Sequence, residues 1–98
     1  MISVDPKVLA AFCKSRHIRK LSLFGSAIRP DFKPRSDIDL LAEFESGQTP
    51  GLSFFSLGEE LASFFGRKVD LNTVGSLNPY FREQVLSESE TLYDASRP

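Results

Sequence analysis

The 98-residue sequence predicts an α/β (α+β) fold, a small mixed β-sheet with packed helices. Three observations predict it. Apolar residues recur at helical spacing in Val8, Leu9, Phe12 and Cys13, and again in Phe54, Leu57, Leu61 and Phe64 or Phe65. Between and after these runs lie short apolar stretches of strand character, Lys20 to Phe24, Ser36 to Phe44 and Lys68 to Asn72. Glycine and proline punctuate the junctions. Helix and strand signals therefore interleave as αβ(α)βαβα(β), which builds a mixed sheet with helices on one or both faces.

Each element has its own local cause. Asp5-Pro6 reads as an N-cap followed by proline at the first helical position. That helix ends near Arg16, where Lys14 and Arg16 suit the negative end of its dipole. Lys20 to Phe24 reads as a buried strand, and Gly25-Ser26 turns the chain off it into a short helix over Ala27-Ile28-Arg29. Pro30 to Arg35 is a loop with two prolines. Ser36 to Phe44 is the second strand, with Asp37, Asp39 and Leu41 on one face and Ile38, Leu40 and Ala42 on the other. Ser46 to Gly51 is a break, and Leu52 to Phe65 is the main helix, closed by Gly66 as its C-cap. Lys68 to Asn72 is a third strand. Asn78-Pro79 opens a last helix to about Ser87, with Tyr80, Phe81 and Val85 available for packing, and Glu90 to Tyr93 is a short closing strand.

Size and composition predict a single domain over residues 1–98 with a modest core. Cys13 is the only cysteine, so no internal disulfide forms, and a small apolar role in a reducing cytoplasm is expected. No signal peptide or membrane span is expected. The net charge of −1 hides an asymmetry. Residues 1–36 carry eight Lys/Arg and two Asp, whereas residues 37–98 carry four Lys/Arg and eleven Asp/Glu. Two solvated faces explain this, and so does a basic phosphate-accepting front beside an acidic metal site. With a pI near 5.8, direct nucleic-acid binding is not expected.

The chemistry concentrates in two motifs. Asp37 and Asp39 are two apart on a strand, so their carboxylates share a face and can share a divalent cation. Hard oxygen ligands of this kind suit Mg2+, which draws its remaining ligands from water and substrate phosphate. An Asp-x-Asp by itself reads first as Asp37 capping the strand entrance after Ser36 and Asp39 as a simply exposed charge. Its neighbours Ile38, Leu40, Leu41 and Ala42 mark an interior strand, where an unpaired aspartate is expensive. Upstream, Gly25 lets backbone N–H groups approach an anion, and Ser26 can donate to a phosphate oxygen. Arg29 lies one turn beyond and can reach the same phosphates, with Lys33 and Arg35 on the loop beyond. Asp70 lies between Val69 and Leu71, so it faces away from the core. There it can join Asp37 and Asp39 to bind metal or take the proton of an attacking hydroxyl, or it is an edge-strand charge paired with Lys68 or Arg67. His17 is the sole histidine, without a partner motif, and is expected at the surface.

Leu23-Phe24-Gly25-Ser26, Arg29, Ser36-Asp37-Ile38-Asp39-Leu40 and Lys68-Val69-Asp70-Leu71 together resemble the minimal nucleotidyltransferases of the DNA polymerase β-like superfamily. The resemblance runs from about residue 20 to residue 93, and departs from the family pattern at Ala27-Ile28 and Pro30. It implies the polymerase β-like fold, a Mg2+ site on Asp37, Asp39 and Asp70, and a nucleoside triphosphate held by Gly25, Ser26 and Arg29. ATP as substrate is carried entirely by the resemblance. Only 28 residues follow Asp70 in the 98-residue sequence, too few for an acceptor-selecting domain, so the acceptor is expected to be a partner or a small molecule. Proteins of this size resemble the antitoxins of HEPN/MNT pairs, which implies transfer of AMP to a tyrosine of a HEPN ribonuclease toxin. Two alternatives stand beside this. One is a non-catalytic antitoxin that binds its toxin through some of its nine phenylalanines. The other is a nucleotidyltransferase acting on a small molecule or an RNA end.

Overall fold

Asp5 starts the first helix by accepting a hydrogen bond from the Lys7 N–H at 2.9 Å, with Pro6 behind it. In a computed structural model, which describes residues 4–25, 37–48 and 50–96, this helix is α1 (Pro6–Ser15). There follow β1 (Ile18–Phe24), β2 (Ile38–Phe44), α2 (Ser53–Phe65), β3 (Val69–Thr73), a single 3₁₀ turn (Val74–Ser76), α3 (Pro79–Glu88) and β4 (Glu90–Asp94). Strand β1 begins two residues before the expected Lys20 because α1 ends sharply: His17 takes a left-handed φ of 60° and delivers Ile18 straight into the sheet. Strand β2 begins at Ile38, where the ladder with the third strand starts as the Ile38 N–H donates to Lys68 O at 3.0 Å. The short helix expected over Ala27 to Arg29 and the loop from Pro30 to Arg35 lie outside the described residues.

The four strands form one mixed sheet in the order β3-β2-β1-β4. Strand β1 is antiparallel to β2 and β4, and β2 is parallel to β3. Their alternation sorts the side chains. Leu21 and Leu23 of β1 and Ile38, Leu40 and Ala42 of β2 face one way, joined by Leu9 and Cys13 of α1 and Leu57 and Leu61 of α2 in one buried cluster. Both helices thus cover the same face, α1 against β1 and β4, α2 against β3. Arg16 at the end of α1 reaches across to α2, donating from Nε to Glu60 at 3.2 Å and making a second, closer contact through Nη2. Gly66 ends α2 in the left-handed conformation at φ 68°, as expected of its C-cap.

The last helix is the correction. Asn78 caps it through a 2.9 Å acceptance from the Tyr80 N–H, but α3 buries no residue. Tyr80 and Phe81, expected to pack, are exposed, and only Val85 is partly covered. The helix has little apolar periodicity, so no continuous stripe was available to seat it. It is held at its start instead, by Arg82 donating to Val74 O at 3.0 Å and Leu77 O at 3.2 Å.

Candidate functional site

The strand alternation that buries Leu40 turns Asp39 to the opposite face, away from α1 and α2. Three elements converge on it there. Phe24, the last residue of β1, is the register partner of Asp39. Gly25 follows with φ 65° and passes directly under the Asp39 carboxylate: a Cβ built on Gly25 would stand 3.3 Å from Asp39 Cγ and closer still to Oδ2. This position needs glycine twice over, for its backbone conformation and for the close approach. On the other side, Asp70 of β3 is in register with Asp39 of β2, on parallel strands about 4.8 Å apart. Asp37 is the residue before β2 and is exposed, and the pleat carries it toward the same face. Asp39 is half-buried and Asp70 exposed.

The structure therefore brings Gly25, Asp39 and Asp70 together, with Asp37 at the margin. Ser26 and Arg29, the expected phosphate contacts, lie outside the described residues, as do Lys33 and Arg35. Among the described residues no three acidic, imidazole or thiol groups close into a metal cage. Two adjacent carboxylates with a third upstream still fit a hard divalent cation such as Mg2+, which takes one or two carboxylates and fills its octahedron with water and phosphate. Such a cation would also relieve the repulsion between neighbouring carboxylates.

The remaining titratable groups fall elsewhere. His17 stands at the end of α1, exposed, with Nδ1 4.0 Å from Glu45 Oε2, in keeping with a surface role. Cys13 is fully buried, and desolvation pushes its thiol up to about 12, so it stays protonated and unreactive in the native protein. A cavity of about 360 Å³ near Arg16 and His17 includes none of the three aspartates. A groove of about 420 Å³ between α2 and β3 does reach one of them, Asp70. Residue patterning assigns Phe54 of this groove to the core stripe and overlooks Gly58. The available signal was a glycine in the middle of a helix, where it costs about 1 kcal/mol relative to alanine.

The chain is similar to several known proteins. The sequence pattern described as Polymerase beta, Nucleotidyltransferase matches residues 7–98. Protein adenylyltransferase MntA of Thermococcus cleftensis is 38% identical over 72 residues, covering 72% of this chain and 71% of that protein. A solved toxin–antitoxin structure with AMP-PNP superimposes with a TM-score of 0.73 at 20% identity, covering 93% of this chain and 74% of the other. A tri-AMPylated Shewanella oneidensis HEPN toxin in complex with MNT antitoxin superimposes at 0.65 with 19% identity, covering 94% and 71%. At these identities the two structures establish a shared fold.

Proposed function

The chain belongs to the polymerase beta nucleotidyltransferase family, and from that premise we propose that it is a cytoplasmic antitoxin that transfers AMP from ATP to a tyrosine hydroxyl of a partner HEPN toxin. The observation that carries the proposal is the convergence of Gly25, Asp39 and Asp70 at one end of the sheet, opposite the helix-covered face. The names of the relative and of the two complexes support this class of substrate and partner.

Asp37, Asp39 and Asp70 would hold Mg2+, which when bound neutralises phosphate charge and polarises the α-phosphate. The residues' own parts are positioning and proton transfer. The Gly25 N–H, Ser26 and Arg29 would hold the triphosphate in line. Asp70, exposed at the sheet edge, would accept the proton of the acceptor hydroxyl. The acceptor oxygen then forms a bond to the α-phosphorus, the bond from that phosphorus to the bridging oxygen breaks, and pyrophosphate leaves with the electron pair. The hydrophobic strands on either side keep Asp39 fixed, so little reorganisation is needed when charge develops.

A second reading rests on a specific observation. Tyr80, Phe81 and Leu86 leave an exposed apolar surface on α3, which suits neutralisation by contact. Label from α-labelled ATP with magnesium decides between them, measured with the protein alone, with its co-expressed partner, and with Asp37→Asn/Asp39→Asn. Label on the partner that vanishes in the double variant is expected. A tight complex without label would overturn transfer in favour of contact.

A further inference from the structure

We infer that the open edge of β3, together with the groove under α2, is the docking site for the acceptor polypeptide, which binds as an added strand and presents its hydroxyl residue opposite Asp70. The inference rests on the adenylyl-transfer reading above and deepens it by naming how the acceptor is held.

Strand β3 lies at the edge of the sheet, and among the described residues no strand covers its outer side. The Ile38 N–H donates to Lys68 O, so the parallel ladder uses the backbone groups of Lys68, Asp70 and Asn72. Those of Val69 and Leu71 point outward. An extended segment laid along this edge gains main-chain hydrogen bonds from both residues. Its side chains then alternate. The residue level with Asp70 turns to the carboxylate face, and the residues before and after it turn toward α2. On that side lies the groove of about 420 Å³, lined by Phe54, Phe55, Gly58, Ala62, Val69 and Leu71 together with the charged Glu59 and Lys68. Phe55 is 74% exposed, apolar surface at the groove mouth that a partner would cover.

Gly58 gives the groove its depth. A Cβ there would meet only Leu71 Cβ, at 3.9 Å, an ordinary contact, so internal packing does not require glycine. A larger side chain would grow into the groove instead. The site thus selects an extended segment in which a hydroxyl residue is flanked on both sides by apolar residues.

The test uses the full chain and short synthetic peptides with a central tyrosine flanked by leucines or by aspartates. Amide exchange followed by NMR should show Val69 and Leu71 exchanging freely alone and protected by the leucine-flanked peptide. Gly58→Met should weaken that binding about tenfold or more, while Gly58→Ala retains it and both variants stay folded. Val69 and Leu71 amides already protected in the free chain would overturn the proposal, because the edge would then be occupied by the chain itself. No peptide-induced protection, or equal binding by Gly58→Met, would also overturn it. Labelled-AMP transfer to the partner, followed alongside, separates the two readings. Transfer that survives Gly58→Met without edge protection sinks the groove and keeps the chemistry, whereas protection without transfer upholds the groove and sinks the chemistry.

Discussion

The two faces of the sheet are made by the same strands and spend their residues in opposite ways. On the helix-covered face, Leu21, Leu23, Ile38, Leu40 and Ala42 are at most 3% exposed and interlock with Leu9, Cys13, Leu57 and Leu61. On the other, Asp39 and Asp70 stand side by side, in register on neighbouring strands. The lesson is that Leu40 and Asp39 are neighbours by design of the pleat. The core fixes the backbone from which the carboxylates project, and the carboxylates contribute nothing to the core. Around Asp39, stability and chemistry should therefore separate by face, although further along β2 Leu41, paired with Ser22, is buried on the carboxylate side and does contribute to packing.

The largest expected effect is on the helix-covered side. Leu40→Ala or Leu61→Ala should cost about 2–5 kcal/mol in urea unfolding, with loss of folded protein and of transfer in proportion. Loss of transfer with full stability would break the comparison. On the open face the reverse holds. Asp39→Asn should reduce adenylyl transfer by about a hundredfold or more without lowering the melting temperature. Magnesium should raise the melting temperature of the wild type and leave that of the variant unchanged, since only the wild type gains by binding it. A variant that melts lower, or that still responds to magnesium, would show that the two faces are coupled.

Cys13 sharpens the comparison through pH. Burial raises its folded pKa from 9.0 to about 12, so between these values the folded chain keeps a proton that the unfolded chain has lost. Stability contributed by the neutral thiol is full below pH 9 and is lost as pH rises toward 12. Unfolding free energy should fall over that window, and Cys13→Ala should flatten the decline. In the native protein at neutral pH a thiol reagent should react only as fast as the chain unfolds. Rapid labelling would show that the face under α1 is open.

Much of this division is written in the sequence. The alternation of Ile38, Leu40 and Ala42 against Asp37 and Asp39 gives the two faces directly, and Val69 and Leu71 do the same for Asp70. Helix ends were equally legible where a capping residue makes them, through a side chain at Asp5 and Asn78 and through a left-handed backbone at Gly66. What escaped has a physical reason. The packing expected of Tyr80 and Phe81 relied on apolar residue type, but α3 lacks the spacing that would gather them on one stripe. That Asp70 can join Asp39 was legible, but the exact register between them depends on long-range parallel pairing, which no local pattern encodes. The groove at Gly58 arises from two elements meeting and so has only a weak trace in either.

Two left-handed residues bring the comparison to its finest scale. Gly25 has φ 65° beside the Asp39 carboxylate, and His17 has φ 60° at the far end of the same strand. Gly25→Ala should cost about 1–2 kcal/mol for the backbone alone, and its methyl group must displace the Asp39 side chain, so transfer falls with stability. His17→Gly should do the opposite, gaining about 0.5–1 kcal/mol by relieving the same strain, because the helix end is a place where glycine is preferred. The lost contact to Glu45 subtracts little, since at 4.0 Å between exposed groups it is weak. Transfer in His17→Gly should equal that of the wild type, because the backbone change sits at the opposite end of β1 from Asp39. Equilibrium unfolding and labelled-AMP transfer on the pair would read both quantities together. If His17→Gly lost transfer, the strain at that end would be communicated along β1, and the carboxylate face would not be the independent surface that the alternation of its residues makes it.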